Sequence, residues 1–308
     1  MHRKHAHRRQ VPVDAKPLGT VAEAVRFGAY PVLLGGALFL LWVLLSAGAS
    51  LSWAPYAAVA VAGPLVIVAE RLLPYRANWK PDARDLIDDG IYMAVVQFAL
   101  PLALAWTTIL IVQQWLSGAN LVLAIWPTLW PIWLQLLAKI AIGDFFRYWL
   151  HRAAHIWSPL WRLHAVHHEP AKLYTTNVFR FHPAEKALQF VCDSLPFILV
   201  GIGPDVLAYY FVFYAMSGLF QHSNCDVRLG WLNYVVSGPE VHRWHHSRIV
   251  KQSNANYAHS FVVWDLLFGT YYRPENEHVA ELGLLDRSYP TGFSAQLLAP
   301  FVHRAESR

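Results

Sequence analysis

Long apolar runs separated by short polar stretches dominate the first half of the chain. A membrane-spanning helix needs about 20 mostly apolar residues, and four runs satisfy that requirement. They cover residues 27–53, 54–73, 90–116 and 121–150. Since scarcely any loop separates the first two runs, they predict a transmembrane hairpin. The stretch between the second and third runs is polar and basic.

Two shorter apolar runs, residues 186–202 and 205–220, follow the fourth predicted span. Both are shorter than the ~20 residues of a full crossing, so a re-entrant hairpin and two crossings both fit. In either case the chain returns to the side of the membrane that it left. The remaining residues contain no run long enough to span.

Composition supports a membrane protein. Hydrophobic residues make up 56% of the chain and charged residues 15%, whereas soluble proteins have about 25% charged residues. The mean hydropathy is +0.29. The two cysteines, Cys192 and Cys225, are too few for a disulfide framework and too far apart for a CxxC motif. We therefore expect both to be packing residues.

The distribution of basic residues predicts the orientation. The net charge of +5 comes largely from "MHRKHAHRR" at the N-terminus, which we expect to contact anionic lipid headgroups. Lysine and arginine also crowd residues 74–84 and 152–180, whereas the connections 50–54, 117–120 and 203–204 contain none. The positive-inside rule then places both termini and all the histidine motifs in the cytoplasm. We expect no nucleic-acid partner.

Eleven histidines lie between residues 151 and 259, and eight of them form three tight motifs. On an α-helix, positions i, i+3 and i+4 lie on one side, so each motif is expected to aim its imidazoles in a common direction. The pattern HxxHH occurs twice. The motifs are His151 and His155; His164, His167 and His168; and His242, His245 and His246.

So many clustered imidazoles predict a metal centre, because packing them together is costly unless a cation binds them. Imidazole nitrogen suits zinc, copper, iron and nickel. Eight ligands are too many for one tetrahedral ion, whereas two ions with four or five nitrogens each would fit. A protease-type zinc site would need the glutamate of HExxH, which is missing from this sequence. Iron is favoured only if the reaction uses O2, since zinc has no redox chemistry.

The motifs and their flanking segments resemble the fatty acid hydroxylase/sterol desaturase superfamily of membrane-bound di-iron enzymes. Its members carry HxxxH or HxxxxH, then HxxHH, then a second HxxHH near the C-terminus. Here "GDFFRYWLHRAAH" and "LWRLHAVHHEP" resemble the first two motif segments, and "FRFHPAE" and "QHSN" the segments between. "PEVHRWHHS", "NANY" and "WDLLFGTYYRP" resemble the C-terminal end. The similarity covers residues 85–275.

The resemblance implies O2-dependent oxidation of a lipid C–H bond (fatty acyl, sterol or related) at two iron ions, giving an alcohol or an alkene. Zinc can replace the iron in recombinant protein. The chain contains no cytochrome b5 segment, flavin fingerprint or ferredoxin-type cysteine set, so we expect a separate electron donor, a ferredoxin or cytochrome with its reductase. Two alternatives remain open: a membrane-embedded zinc-dependent hydrolase and a non-catalytic metal-binding membrane protein.

Further site residues are expected around the motifs. His222, in "QHSN", is a candidate ninth ligand, although some family members carry another histidine where this chain has Gly218. His182, in "RFHPAE", is either a tenth ligand or a helix-entry hydrogen bonder. Ligand imidazoles usually donate their other N–H to a carboxylate or carbonyl. The candidates for this outer role are Asp144, Glu185, Asn224, Glu240 and Asp265.

Together these patterns predict an all-α, polytopic integral membrane protein. It would have four transmembrane helices, a short apolar hairpin, and a cytoplasmic helical cap that holds a di-metal centre. The predicted segments are a basic cytoplasmic tail at 1–26, an N-terminal transmembrane hairpin at 27–84, a catalytic domain at 85–275 and a C-terminal cytoplasmic tail at 276–308.

Overall fold

The computed structural model describes residues 19–111, 124–275 and 277–303. Within these ranges the chain forms helices joined by loops, with isolated β-bridges and no strand. The all-α prediction is therefore confirmed. The connection predicted at 117–120 and most of the basic N-terminal tail lie outside the described residues.

Thirteen α-helices are described, together with a π-helical segment and two 3-10 turns. They are α1 Thr20–Ser46, α2 Ala54–Leu72, α3 Ala83–Tyr92, the π segment Met93–Ala99, α4 Leu100–Ile111, α5 Ile132–Ile156, α6 Ser158–His168, the 3-10 turn Thr175–Phe179, α7 Pro183–Asp193, α8 Leu195–Leu199, α9 Pro204–His222, the 3-10 turn Gly230–Tyr234, α10 Pro239–His245, α11 Val250–Ser253, α12 Val263–Leu267 and α13 Phe293–Val302.

Three stretches of the described chain are long and apolar enough to cross a membrane: α1, α2 and the continuous helix Ala83–Thr108. The third begins earlier than its apolar run because a capping box starts it. The Asp82 carboxylate accepts the Asp85 N–H at 2.9 Å, and the Asp85 carboxylate accepts the Asp82 N–H at 3.0 Å. The π segment ends two residues before Pro101. In a regular α-helix the ring of this proline would clash with the carbonyl four residues back, which lies in the π segment.

The fourth predicted span, 121–150, is realised only in part. Its described helix, α5, is too charged to count among the three apolar helices, because it carries Lys139, Asp144 and Arg147. All three side chains are buried within the protein. The Lys139 ammonium donates to the carbonyl of Asp193, and the Arg147 guanidinium pairs with the Asp193 carboxylate at 3.3 Å. The charged side chains of α5 are thus buried against other parts of the protein, as expected for charged residues in an apolar helix.

The predicted apolar hairpin is divided differently from expectation. Its first half consists of two short helices, α7 and α8, which break at Ser194 before Pro196. Its second half is the continuous helix α9, which starts after Gly203. Both α7 and α9 pack against α5. The two halves therefore bracket α5, so that side chains from all three helices meet.

One end of the bundle gathers several helix termini. Near the start of α1, the Arg26 guanidinium pairs with the Asp226 carboxylate at 2.6 Å. The Tyr75 N–H, just after α2, donates to the carbonyl of Asn224 at 2.7 Å. The start of α1 and the ends of α2 and α9 therefore lie together, at the end where His222 closes α9.

Candidate metal centre

Nine histidines converge in two groups. Within each group, the ring nitrogens available to a metal lie within 4.8 Å of one another. All nine side chains are buried except that of His151, which is partly exposed. The first group is His151, His155, His164, His168 and His245; the second is His167, His222, His242 and His246. These are the eight motif histidines together with His222.

Each HxxHH motif is split between the two groups. His164 and His168 belong to the first group, and His167 belongs to the second. The C-terminal motif is split in the opposite sense, since its i and i+4 histidines join the second group and its i+3 histidine joins the first. Positions i and i+4 of a helix lie ~40° apart, whereas i+3 lies ~100° from i+4. The common direction expected from spacing is thus resolved into two.

The imidazoles of each group meet through their Nε2 atoms. In the first group, His164 Nε2 lies 3.0 Å from His151 Nε2 and 3.1 Å from His168 Nε2, which is 3.1 Å from His245 Nε2. In the second group, His242 Nε2 lies 3.2 Å from His222 Nε2 and 3.0 Å from His246 Nε2. Ligand nitrogens ~2.0–2.1 Å from one metal ion are about 3.0–3.4 Å apart. The spacing therefore suits a cation at each centre.

Outer hydrogen bonds orient six of these rings. In every case the Nδ1 atom faces an oxygen that accepts, so Nδ1 carries the proton and Nε2 keeps its lone pair for the centre. The pairs are His151–Tyr257 carbonyl at 2.7 Å, His155–Asn254 Oδ1 at 3.1 Å, His164–Glu185 Oε1 at 2.7 Å, His167–Arg180 carbonyl at 3.2 Å, His222–Asn177 Oδ1 at 2.8 Å and His245–Ala255 carbonyl at 2.8 Å.

Burial keeps the central imidazoles neutral. It lowers the pKa of His167, His168, His245 and His246 well below the usual value, because the low-dielectric interior penalises the charged ring. Neighbouring imidazoles lower each pKa further. Neutral imidazole is the form that binds metal, so these side chains need no deprotonation before they bind a metal ion.

Only part of the predicted outer shell contacts an imidazole. Glu185 does so directly, through His164. Asp265 acts one step away, because its carboxylate accepts the N–H groups of Tyr257 and Ala258 at 2.8 and 2.9 Å, and the Tyr257 carbonyl accepts from His151.

The other three outer candidates, Asp144, Glu240 and Asn224, form hydrogen bonds to backbone groups, and none of them contacts an imidazole among the described residues. Asp144 accepts the N–H groups of Ser260 and Phe261. Glu240 accepts the Leu229 N–H at 2.6 Å and lies beside arginines. Asn224 binds the loop after α2 through both ends of its amide.

His182 lies outside both groups. Its Nδ1 accepts the Ala184 N–H at 3.2 Å as the N-cap of α7, and its Nε2 lies 3.1 Å from the carbonyl of Leu297. Both ring nitrogens are thereby used within the fold. Of the two interpretations of His182, these contacts favour the one that places it at the entry of α7.

Two asparagines near the centre were not predicted from the sequence. Asn254 and Asn177 each accept from a group histidine. Asn254 begins the segment "NANY", whose carbonyls at Ala255 and Tyr257 also accept from group histidines, so that segment carried a usable signal. Asn177 lies in a 3-10 turn with no motif around it, and its sequence gives no signal.

A largely apolar cavity of about 660 Å³ borders both groups. His151 and His164 line it from the first group, and His167, His222 and His242 from the second. The rest of its wall includes apolar side chains from α2, the π segment, α4 and α9, among them Val59, Phe98, Leu102 and Phe211. The histidine centre therefore faces an apolar space that extends among the membrane-type helices.

Comparison with known proteins agrees with this arrangement. The fatty acid hydroxylase family model matches residues 136–270. The chain is 31% identical over 250 residues to the ornithine lipid hydroxylase OlsE of Rhizobium tropici, covering 78% of this chain and 73% of that protein.

Other relatives match over shorter regions. Alkylglycerol monooxygenase of Xenopus tropicalis is 31% identical over 154 residues, which are 50% of this chain and 33% of that protein. A very-long-chain aldehyde decarbonylase of Oryza sativa is 30% identical over 138 residues, covering 44% and 52% of the two chains. No solved structure matches.

The relatives that these comparisons identify include a lipid hydroxylase and a monooxygenase, and the described chain has membrane-type helices and a histidine cluster able to bind metal. The chain is accordingly an O2-dependent oxidoreductase of the lipid hydroxylase type. The family match, and the similarity to OlsE over most of both proteins, establish that it belongs to the fatty acid hydroxylase superfamily.

Proposed function

We propose that this protein is a membrane-bound non-haem di-iron oxygenase that oxidises a C–H bond of a lipid. The observation that carries the proposal is the meeting of two buried imidazole groups with an apolar cavity. A lipid chain fits such a space, and the histidines would hold the metals against it.

The donor set fits iron. All nine candidate ligands are imidazoles, a ligand type that suits iron as well as zinc. Five nitrogens would hold one ion and four the other. Bound iron would supply the redox chemistry with O2 that zinc lacks. The ligand type alone does not separate the two metals, so the choice of iron follows from the oxidative chemistry of the family.

The chain's own residues would orient the metals and the lipid. Glu185 and the carbonyls of Ala255 and Tyr257 hold the Nδ1 protons of three ligand rings and so fix where their lone pairs point. The apolar wall would align the lipid chain and exclude water from the reacting carbon. Electrons would come from a separate donor, a ferredoxin or cytochrome with its reductase.

Hydroxylation is favoured over desaturation by the names of two relatives, an ornithine lipid hydroxylase and an alkylglycerol monooxygenase. We propose a polar lipid with a long alkyl or acyl chain as the substrate class. A zinc-dependent hydrolase is disfavoured, because Glu185, the carboxylate that contacts the centre, accepts from His164 and has no HExxH context.

We predict that the purified protein, expressed with ample iron, contains two metal ions per chain. Metal analysis would count them, and mass spectrometry of host lipids with and without expression would detect a gain of one oxygen or a loss of two hydrogens. Growth under 18-O2 should label a hydroxylated product. Metal analysis that finds one ion or none would contradict the di-metal centre. A zinc-loaded protein that retains the lipid product would contradict the role of iron.

We also propose that α5 crosses the membrane and that both termini and the histidine centre are cytoplasmic. Single cysteines at Lys80, Asp205 and Glu275, in a background lacking the native cysteines, would test this orientation. A thiol reagent that cannot cross the membrane should label Asp205→Cys in intact cells, or leave it unlabelled even after lysis if the site is buried. The same reagent should label Lys80→Cys and Glu275→Cys only after lysis. External labelling of Glu275→Cys would contradict the proposed orientation. If Lys80→Cys stayed protected in the same cells, the third motif would lie across the membrane from the other two, which would contradict the shared centre as well.

A further inference from the structure

A buried lysine in the cavity wall lacks a carboxylate partner. Lys186, on α7, is 9% exposed and lines the cavity. Across the residues that the structure describes, its ammonium forms no ion pair; its hydrogen bond is to the Tyr214 hydroxyl, at 3.3 Å. An ammonium group has three hydrogens to donate, and burial without a counter-ion is unfavourable. Lys186 is thus the wall residue most in need of an anion.

The other charged groups of the same wall are Arg147, Asp193 and Glu185. Arg147 and Asp193 pair with each other at 3.3 Å. The Glu185 Oε1 atom accepts from His164 and Gln189, whereas the buried Oε2 atom has no hydrogen-bond partner in the described part of the chain. Lys186 follows Glu185 directly on α7, but their directions differ by ~100° on a helix. Among described residues no salt bridge joins the two side chains.

Two further polar groups lie beside the Lys186 ammonium. The Tyr214 hydroxyl, which accepts from Lys186, keeps its own hydrogen for another acceptor. The His259 ring lies 4.3 Å from the Tyr214 ring and also lines the cavity. Its buried Nε2 has no hydrogen-bond partner in the described part of the chain. Three groups able to donate to one oxyanion thus occupy one region of the wall.

This region is close to the histidine groups. The Lys186 ammonium lies 5.8 Å from the centre of the Phe181 ring, and that ring stacks on His167 at 4.1 Å. One aromatic ring therefore separates the ammonium from the second histidine group. An anion held by Lys186 would place the adjoining carbon atoms near the metal centre.

We infer that Lys186, together with Tyr214 and His259, binds an oxyanion, a carboxylate or phosphate, on the lipid substrate. The inference rests on the proposed function in treating the cavity as the substrate site. A carboxylate could belong to a free fatty acid or to a lipid headgroup, and a phosphate to a headgroup. In each case the charge-assisted hydrogen bonds would be the same.

Equilibrium binding of radiolabelled palmitate to the purified, metal-loaded full chain would test this subsite, with methyl palmitate as the uncharged competitor. Wild type should prefer the acid. Lys186→Met should weaken acid binding by about 10-fold or more, the usual order for losing a hydrogen bond to a charged group. It should leave ester binding and metal content unchanged, which would also show that the variant is folded.

Lys186→Arg keeps the charge and should preserve the preference for the acid. Lys172→Met is the matched control, since that lysine lies outside this cavity and pairs with Asp85. Lysophosphatidic acid with one palmitoyl chain distinguishes the sources: stronger competition than unlabelled palmitate, lost in Lys186→Met, identifies a headgroup phosphate, and weaker competition identifies a carboxylate.

Equal binding of acid and ester by wild type, or an acid preference that survives in Lys186→Met, would overturn the inference. Because binding is measured without turnover, its result is separate from that of the proposed function. A protein that oxidises lipid but shows no Lys186-dependent acid preference would refute the subsite alone. One that shows the preference without oxidising any lipid would refute the proposed function alone.

Discussion

Replacing His245 with alanine should abolish lipid oxidation. His245 Nε2 lies 3.1 Å from His168 Nε2 within the first group, and its Nδ1 is oriented by the Ala255 carbonyl. The substitution removes one ligand nitrogen, and loss of such a group commonly costs about 10- to 100-fold or more in metal affinity or activity. Metal analysis and product formation by the purified variant would measure both effects.

The matched control is His278→Ala. His278 lies far from the motifs in sequence, and its ring contacts the Tyr75 hydroxyl at 3.1 Å on the surface. This variant should resemble wild type in metal content and activity. A packing role for His245 would predict a loss of only about 1 kcal/mol in stability with the metal content unchanged. Full metal content and full activity in His245→Ala would therefore show that His245 is no ligand.

Glu185→Leu should lower metal affinity and oxidation by about 10- to 100-fold, although no proposed ligand is removed. The Glu185 carboxylate accepts the Nδ1 proton of His164 at 2.7 Å. Without it, the His164 ring is free to rotate or to move its proton to Nε2, which would block the lone pair that faces the first group. Metal titration together with turnover would measure the loss.

Glu185→Gln tests whether the acceptor itself matters, because an amide oxygen can still accept from His164. This variant should recover much of the activity that Glu185→Leu loses. Glu275→Leu, an exposed acid outside the centre, is the control for removing a carboxylate and should be close to wild type. Equal losses in the leucine and glutamine variants would contradict a hydrogen-bond role and point to charge instead.

Two features could be predicted from the sequence: the all-α fold class and the identity of the clustered histidines. Both depend on patterns that are local in the chain. Apolar run length reveals helices such as α2, whose predicted and observed bounds nearly coincide. The spacing of the HxxHH motifs predicts clustered imidazoles, although it gave no sign that each motif is divided between two groups. The nine imidazoles that the structure brings together were all among the ten predicted ligands.

Contacts between residues far apart in the chain could not be predicted from these local patterns. Run length alone gave no sign that Lys139 and Arg147 on α5 would both meet Asp193 on α7. The carbonyls that orient His151 and His245 belong to the backbone of the segment "NANY", so the sequence marks the segment but not which of its carbonyls accept from an imidazole. Asp144 is a buried acid on the histidine-bearing helix, yet it binds backbone N–H groups instead of an imidazole.

Each of the two HxxHH motifs supplies histidines to both groups, and the two motifs do so in opposite proportions. The two groups therefore form together when the helices that carry these motifs pack. Inserting one residue between His164 and His167 would turn the two ends of that motif by about 100° relative to each other. Both groups would then lose a member at once, since each motif supplies both. A shift within α6 or α10 therefore disturbs both histidine groups together, so we expect the two proposed metal positions to be retained or lost as a pair when either helix changes its register.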